Sequence, residues 1–322
     1  MRAIRIHQTG GPEVLQLDEI DTPTPGPGQA RVRNHAIGVN YLDIYHRTGL
    51  YPMPLPLIPG CEGAGEVTAF GPDVVGFKVG DRVAYVTGPG SYVEERNVDV
   101  KHLVALPASV SYEAAAAMML KGLTAQYLLR QTYRVQPGDT ILVHAAAGGV
   151  GQILCQWGKH LGATVLATVG SEAKAKIAKA CGADHVINYS QEDFAARVGE
   201  ITKGAKCNVV YDSVGKTTFP GSLDCLRPFG IFASFGSASG PVEAFNLALL
   251  GQKGSLFATR PTLFTFLADR ARLETMAKDL FEVAASGVVK VEISEKAPLA
   301  EAGRVQRDLE GRRTTASMVL IP

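Results

Sequence analysis

The chain has 322 residues, of which 46% are apolar and 20% charged, with a formal net charge of +1. That length allows two domains and a sizeable core, while the near-neutral balance gives no electrostatic reason to expect nucleic acid or a membrane as the main partner. The longest apolar stretches, such as Ala114 to Leu120, are far too short to span a bilayer.

Met1 to His7 alternates polar and apolar residues like a strand and lacks the apolar centre of a signal peptide. From there to about Ser109 the pattern is β-rich, with strands expected over 2–7, 14–20, 30–39, 62–69, 82–86, 91–97 and 102–106. Gly10-Gly-Pro12, Pro23 to Gly28, Tyr51 to Pro56 and Gly71-Pro72 punctuate them, which suggests a barrel or sandwich. Ser111 reads as an N-cap for a long helical stretch reaching about Tyr133. Cys61, Cys155, Cys181, Cys207 and Cys225 are odd in number and form no C-x-x-C pair. A disulfide framework or zinc knuckle is therefore not expected, and a reducing cytoplasm fits better.

From about Asp139 strands and helices alternate. Strands are expected over 141–143, 164–168, 185–187, 208–212, 231–234 and 255–257, with helices over 150–160, 171–180, 192–201 and 217–226. Repeated βαβ units imply a doubly wound parallel sheet with right-handed crossovers, an α/β fold. Beyond Pro261, a helix over 263–285, a strand over 288–293, a helix over 299–309 and a terminal strand over 318–321 are too little for a second sheet. That segment is expected to return to the N-terminal domain.

Ile141 to Val143 leads into Ala145-Ala-Ala-Gly-Gly-Val-Gly151 and then a helix. In this setting a glycine loop points to dinucleotide binding. Gly148 can turn sharply, Gly149 lets a pyrophosphate approach the backbone, and Gly151 lets the helix pack close to the strand. Ala146 stands where the first glycine of G-x-G-x-x-G would be. The second strand ends at Thr168-Val-Gly170, followed by Ser171 and Lys174 and not by the carboxylate that meets a ribose in NAD enzymes. A hydroxyl, a helix N-terminus and a cation suit a 2′-phosphate, so NADPH is favoured; the plainer alternative is a helix cap beside a solvated lysine. Tyr189 could lie against the adenine or simply on the surface.

Several segments carry a resemblance: Gly10-Gly-Pro-Glu-Val-Leu15, Ile37-Gly-Val-Asn-Tyr-Leu-Asp43, Gly49-Leu-Tyr-Pro52, Gly80-Asp-Arg-Val83, Leu120-Lys-Gly-Leu-Thr124, His144 to Gly151 and Val210-Tyr-Asp-Ser-Val-Gly215. Over essentially its whole length the chain resembles the zinc-independent NADPH:quinone oxidoreductase and zeta-crystallin branch of the medium-chain dehydrogenase/reductase superfamily. The resemblance implies a GroES-like catalytic domain over 1–122 and 261–322, a Rossmann domain over 123–260, NADPH, a cytoplasmic homodimer and a small quinone or other electrophilic substrate. It implies that a tyrosine-rich loop from Asn40 to Tyr51 lines the nicotinamide side with Asn40, Tyr41, Asp43, Tyr45 and Tyr51, and that Asn40, Tyr45, Tyr51 and Lys121 are the catalytic candidates. Further cofactor contacts implied are Tyr127, Gly148, Gly149, Val150, Gly170, Ser171, Lys174, Tyr189, Val214, Phe235, Gly236, Phe257, Thr259, Arg260 and Arg312.

Where the zinc alcohol dehydrogenases carry their catalytic ligands, the chain has Asn40, Cys61 within Gly60-Cys-Glu62, and Leu120-Lys121. One thiol cannot make the usual three-ligand site, so no metal is expected. Without a Lewis acid, a quinone that already accepts hydride readily makes chemical sense. Lys121 and Arg260 could stabilise developing oxygen charge, or serve a salt bridge or a phosphate. His144 ends the first sheet strand and is expected to be a buried, hydrogen-bonded structural residue more than an acid/base. Two other readings stay open: reduction of α,β-unsaturated carbonyls, and an NADPH-binding RNA-binding or structural protein, which the lack of a Lys/Arg stripe disfavours.

Overall fold

The computed structural model describes residues 1–311 and 313–322, so Arg312 lies outside the described residues. In chain order the strands are β1 (Arg2–Arg5), β2 (Gln16–Glu19), β3 (Gln29–Gly38), β4 (Glu62–Phe70), β5 (Arg82–Val86), β6 (Glu95–Asp99), β7 (Leu103–Ala105), β8 (Thr140–Val143), β9 (Thr164–Val169), β10 (His185–Asn188), β11 (Cys207–Asp212), β12 (Leu226–Ser234), β13 (Phe257–Thr259), β14 (Ile293–Pro298) and β15 (Ser317–Ile321). The helices are α1 (Tyr41–Thr48), α2 (Tyr112–Tyr127), α3 (Gly149–His160), α4 (Glu172–Ala180), α5 (Phe194–Ile201), α6 (Phe219–Asp224), α7 (Ala248–Gln252), α8 (Leu263–Leu267), α9 (Arg270–Ala285) and α10 (Ala302–Glu310). Two compact units form. One holds Met1–Leu123, Leu267–Phe281 and Val291–Pro322; the other holds Thr124–Phe266 and Glu282–Lys290.

The first unit is built on β3. Its start pairs with β6 and its end with β15, while its other edge pairs with β4 along most of its length. The sheet runs β14-β15-β3-β4-β5-β7, so the last strand of the chain sits beside one of the first. Alternation along β3 sends Ala30 and Val32 inward to Val67, Val83, Tyr85 and Leu103. Close approach matters at Gly38, where a Cβ would stand 2.1 Å from the Ala116 carbonyl oxygen and 2.3 Å from Glu62 Oε1. Only glycine lets β3 pass that tightly beside α2.

The second unit is a six-stranded sheet in the order β10-β9-β8-β11-β12-β13, parallel throughout. Chain order therefore reverses between β8 and β11, the switch point at which doubly wound sheets bind their ligands. Leu142, Leu166, Ile187, Val210 and Phe232 from neighbouring strands fill one core cluster. At Gly151 a Cβ would come within 2.4 Å of the Ala145 carbonyl oxygen, which explains the glycine at the second turn position of α3.

Several expected elements are corrected. Asn40 to Tyr51, read as a loop, is mostly helix: the Asp43 carboxylate accepts the Asn40 amide at 2.8 Å at its start, and Gly49 ends it at φ +80°. The helix expected over 263–285 breaks into α8 and α9. The strand expected over 288–293 lies instead at Ile293–Pro298, because its pairing with β15 sets its register. In the glycine loop the left-handed residue is Ala145 (φ +50°), whereas Gly148 is extended (φ −79°, ψ +167°) and caps α3.

Candidate active site

In the first unit the residues at the places of metal ligands come together around one carboxylate. Glu62 opens β4 and has no exposure. Its Oε1 accepts the Asn40 side-chain amide at 2.7 Å and lies 3.5 Å from Lys121 Nζ, and its Oε2 accepts the Leu120 backbone N–H at 2.7 Å. Lys121 Nζ also donates to the Val39 carbonyl at 3.3 Å. The Glu62 oxygen is the acceptor, so Asn40 presents its NH2 to Glu62. Cys61, next in chain, is buried, and burial pushes its thiol well above the usual range. This donor set does not fit zinc: the carboxylate is already saturated by N–H donors, one of them a cation, and the adjacent thiol is held neutral.

Helix α1 carries the tyrosines on one face. Tyr41 and Tyr45 have ring centroids 6.2 Å apart, and Tyr51, just past the helix, lies 5.2 Å from Tyr45. Its opposite face is internal: Asp43 and Arg47, four residues apart, have no exposure. Asp43 Oδ2 accepts both the Asn40 N–H and, at 2.9 Å, the Tyr92 hydroxyl, and its Oδ1 has no partner. Asp43 thus holds the residue that starts the helix. Burial is the main cause lifting its carboxyl to about 7, against which those two hydrogen bonds work.

In the second unit, α3 begins at Gly149 on Gly148, which has no side chain to cap it. Its neighbours differ. Ser171 Oγ accepts the Lys174 N–H of α4 at 3.4 Å, and Asp193 accepts the amides of Ala195 and Ala196 in α5. The first-turn amides of α3, those of Gly149 and Val150 included, are thus left without a side-chain cap at the carboxyl end of β8, which fits a phosphate. At the end of β9, Gly170, Ser171, Lys174 and Tyr189 gather; a Cβ on Gly170 would fall 2.6 Å from the Tyr189 hydroxyl. Ser171 is therefore a cap, as the plainer alternative had it, and remains beside the half-buried Lys174.

Farther along the sheet, Val214 follows β11, its N–H bound at 2.8 Å to Asp212 Oδ1, and Phe235 follows β12, its N–H bound at 2.8 Å to the Asp212 carbonyl. A Cβ on Gly236 would strike the Ser213 carbonyl at 2.5 Å. Phe257 and Thr259 lie on β13 and are exposed, and Arg260 Nη1 donates to the Ser234 carbonyl at 3.0 Å. Tyr127 is buried and stacked on Phe266 at 4.4 Å, its hydroxyl raised by burial. His144 is buried between Thr168 and Ser222, the structural position expected of it. Two residues that organise these sites, Glu62 and Asp212, were not singled out from sequence. The signal available was a carboxylate inside each of two motifs, Gly-Cys-Glu and Tyr-Asp-Ser-Val-Gly.

Residues 26–137 match the model of the alcohol dehydrogenase GroES-like domain, and residues 149–278 that of the zinc-binding dehydrogenases. A quinone oxidoreductase of Pseudomonas aeruginosa is 53% identical across 100% of this chain and 99% of its own. A 2-haloacrylate reductase of a Burkholderia species is 46% identical over 98% of both. Among solved structures, the Escherichia coli quinone oxidoreductase complexed with NADPH superposes with a TM-score of 0.98 at 48% identity, covering both chains fully.

Because the folded protein holds Asp43 protonated up to about pH 7 and the unfolded chain does not, this carboxyl contributes most to stability in acid. That contribution is lost as pH rises through about 7. Asp43→Asn, which has the neutral form's shape at every pH, is expected to flatten the decline between about pH 4 and about pH 7. The difference from wild type approaches ~4 kcal/mol at most, read as melting temperature against pH. Parallel wild-type and variant curves would contradict the assignment.

Proposed function

The chain belongs to the quinone oxidoreductase family, and on that footing we propose that it is an NADPH-dependent quinone reductase that delivers hydride to a small quinone without a metal. One observation carries the reading. On a frame shared with zinc-binding dehydrogenases, Glu62 is saturated by Asn40, Leu120 and Lys121 where a Lewis acid would be held. A substrate must then be electrophilic by itself, as a quinone is.

Bound NADPH supplies the hydride. The uncapped amides of Gly149 and Val150 hold the pyrophosphate, and Gly151 keeps α3 close to the sheet. Lys174, beside the capping Ser171, meets the 2′-phosphate, and Tyr189 lies along the adenosine. Tyr127, Gly170, Val214, Phe235, Gly236, Phe257, Thr259, Arg260 and Arg312 complete the cofactor's surroundings in this reading. From the first unit, Tyr41, Tyr45 and Tyr51 offer aromatic faces to a planar ring. Asn40, its NH2 held by Glu62, lines the nicotinamide side. Lys121 has three N–H donors, of which the Val39 carbonyl and Glu62 engage two; the third stabilises the oxygen of the reduced quinone. Asp43, buried beneath α1, positions Asn40 and does not itself reach a ligand.

The 2-haloacrylate reductase relative supports a second acceptor class, the α,β-unsaturated carbonyl, which asks for the same hydride delivery to an activated carbon. A homodimer belongs to the same reading. Among the described residues β13 ends the six-stranded sheet with β12 as its one neighbour, and Phe257 on it is 59% exposed. Five free cysteines support a reducing, cytoplasmic setting, and among the described residues no helix is long and apolar enough to cross a membrane.

The purified, chelator-treated protein is expected to oxidise NADPH with 1,4-benzoquinone and naphthoquinones. No oxidation above background would refute the function, and much faster turnover of 2-alkenals would favour the second acceptor class. Lys174→Ala is expected to weaken NADPH binding about tenfold or more and leave NADH binding nearly unchanged, a charge-assisted contact being lost in one case only. Equal losses would show that Lys174 does not read the 2′-phosphate. In sedimentation equilibrium the protein is expected at twice its chain mass and Phe257→Lys at the single mass; a monomeric wild type would overturn the dimer.

A further inference from the structure

His144 stands at the end of β8 and Asp212 at the end of β11, on opposite sides of the switch point. Both are buried, and Ser222 of α6 joins them. His144 Nε2 lies 3.0 Å from Ser222 Oγ, and Ser222 Oγ lies 3.0 Å from Asp212 Oδ2. On the other side, His144 Nδ1 lies 2.8 Å from Thr168 Oγ1 in β9. The chain Thr168–His144–Ser222–Asp212 therefore ties together three adjacent strand ends and one helix.

Counting protons orders the chain in one direction. Ser222 has a single hydroxyl proton, and two of its partners can only accept it: Asp212 Oδ2 and, at 2.8 Å, the Thr218 carbonyl. Towards His144, Ser222 must therefore be the acceptor, which places a hydrogen on Nε2. Burial lowers the His144 pKa, so the ring is neutral and Nδ1 accepts the Thr168 hydroxyl. The ring of Phe194 packs edge-on against His144 at 5.0 Å and shields it. Gly221 makes room, since a Cβ there would lie 2.6 Å from the tip of that ring.

The far end of the chain organises backbone. Asp212 Oδ1 accepts the N–H groups of Val214 and Gly215 at 2.8 and 2.9 Å, and Oδ2 also takes the Thr218 hydroxyl at 2.7 Å. The Asp212 carbonyl fixes the Phe235 N–H. The donors that meet the carboxylate, from Val214, Gly215, Thr218 and Ser222, belong to the loop and helix following β11, and that loop, through Val214, is one of the parts of this unit that the proposed function gives to NADPH.

We propose that Thr168, His144, Ser222 and Asp212 form a proton-ordered brace across the switch point, with His144 held as its Nε2–H tautomer, and that these are positioning residues for NADPH. The positioning half of this inference rests on the cofactor reading above; the tautomer half does not. In 15N-histidine-labelled protein at neutral pH, the ring signals lost in His144→Gln are expected to report protonated Nε2 and bare Nδ1. Ser222→Ala removes the hydroxyl that fixes this order. It is expected to shift those signals and to weaken NADPH about tenfold, by fluorescence titration, with the KM for quinone unchanged. Thr168→Val deletes the other end at nearly constant shape, and is expected to weaken NADPH several-fold; it decides the matter where Ser222→Ala does not fold. A wild-type Nδ1–H tautomer would overturn the brace, and so would wild-type NADPH affinity in folded variants. Wild-type protein with the Nε2–H signal but no NADPH binding would instead overturn the cofactor reading.

Discussion

Glu62 has no solvent to turn to, so both its oxygens must be met by donors, and that requirement fixes the candidate active site. The donors come from two places in the chain: Asn40 before α1, and Leu120 and Lys121 within α2. Gly38 permits the arrangement by letting β3 approach both Ala116 and the carboxylate itself. Removing one partner of such a group leaves a buried charge uncompensated, at a cost of about 3–5 kcal/mol. The same constraint dictates which atom of the Asn40 amide faces Glu62. Structure and chemistry thus depend here on one buried acceptor and the donors that meet it.

The second unit solves a related problem at the carboxyl ends of a parallel sheet. Of the three helices that follow β8, β9 and β10, two are capped by side chains, Ser171 and Asp193. The third, α3, begins on a glycine and leaves its first amides without a side-chain cap. Beside it, His144 and Asp212 occupy the switch point with each of their side-chain nitrogens and oxygens partnered. A fully satisfied polar network in a low-dielectric interior has few alternative arrangements. That rigidity is what a loop needs if Val214 and Phe235 are to stay in place.

Much of this was legible in the sequence because it follows from local rules. Alternation and apolar runs located most strands, the glycine loop located the start of α3, and Ser171 announced its cap. The errors have equally local causes. α1 was read as a loop because three tyrosines and a Pro-rich tail obscured an Asn-x-x-Asp start and a glycine stop. β14 was placed too early because its register belongs to β15, which lies far along the chain. Ala145 takes the left-handed turn that Gly148 was expected to take, since the bend falls where the strand ends and not where the glycines are.

By itself the sequence determined the α/β class, the dinucleotide loop, the absence of a zinc ligand set and the resemblance to zinc-independent quinone reductases. Each of these is written in the types of residues and their spacing. Only tertiary structure decided what replaces the metal ligands and what spans the switch point. Glu62 meets Lys121 across 59 residues, and His144 meets Ser222 across 78. No periodicity or motif encodes such pairings, because they are made by strand order and by the need of buried polar atoms for partners wherever the fold brings them.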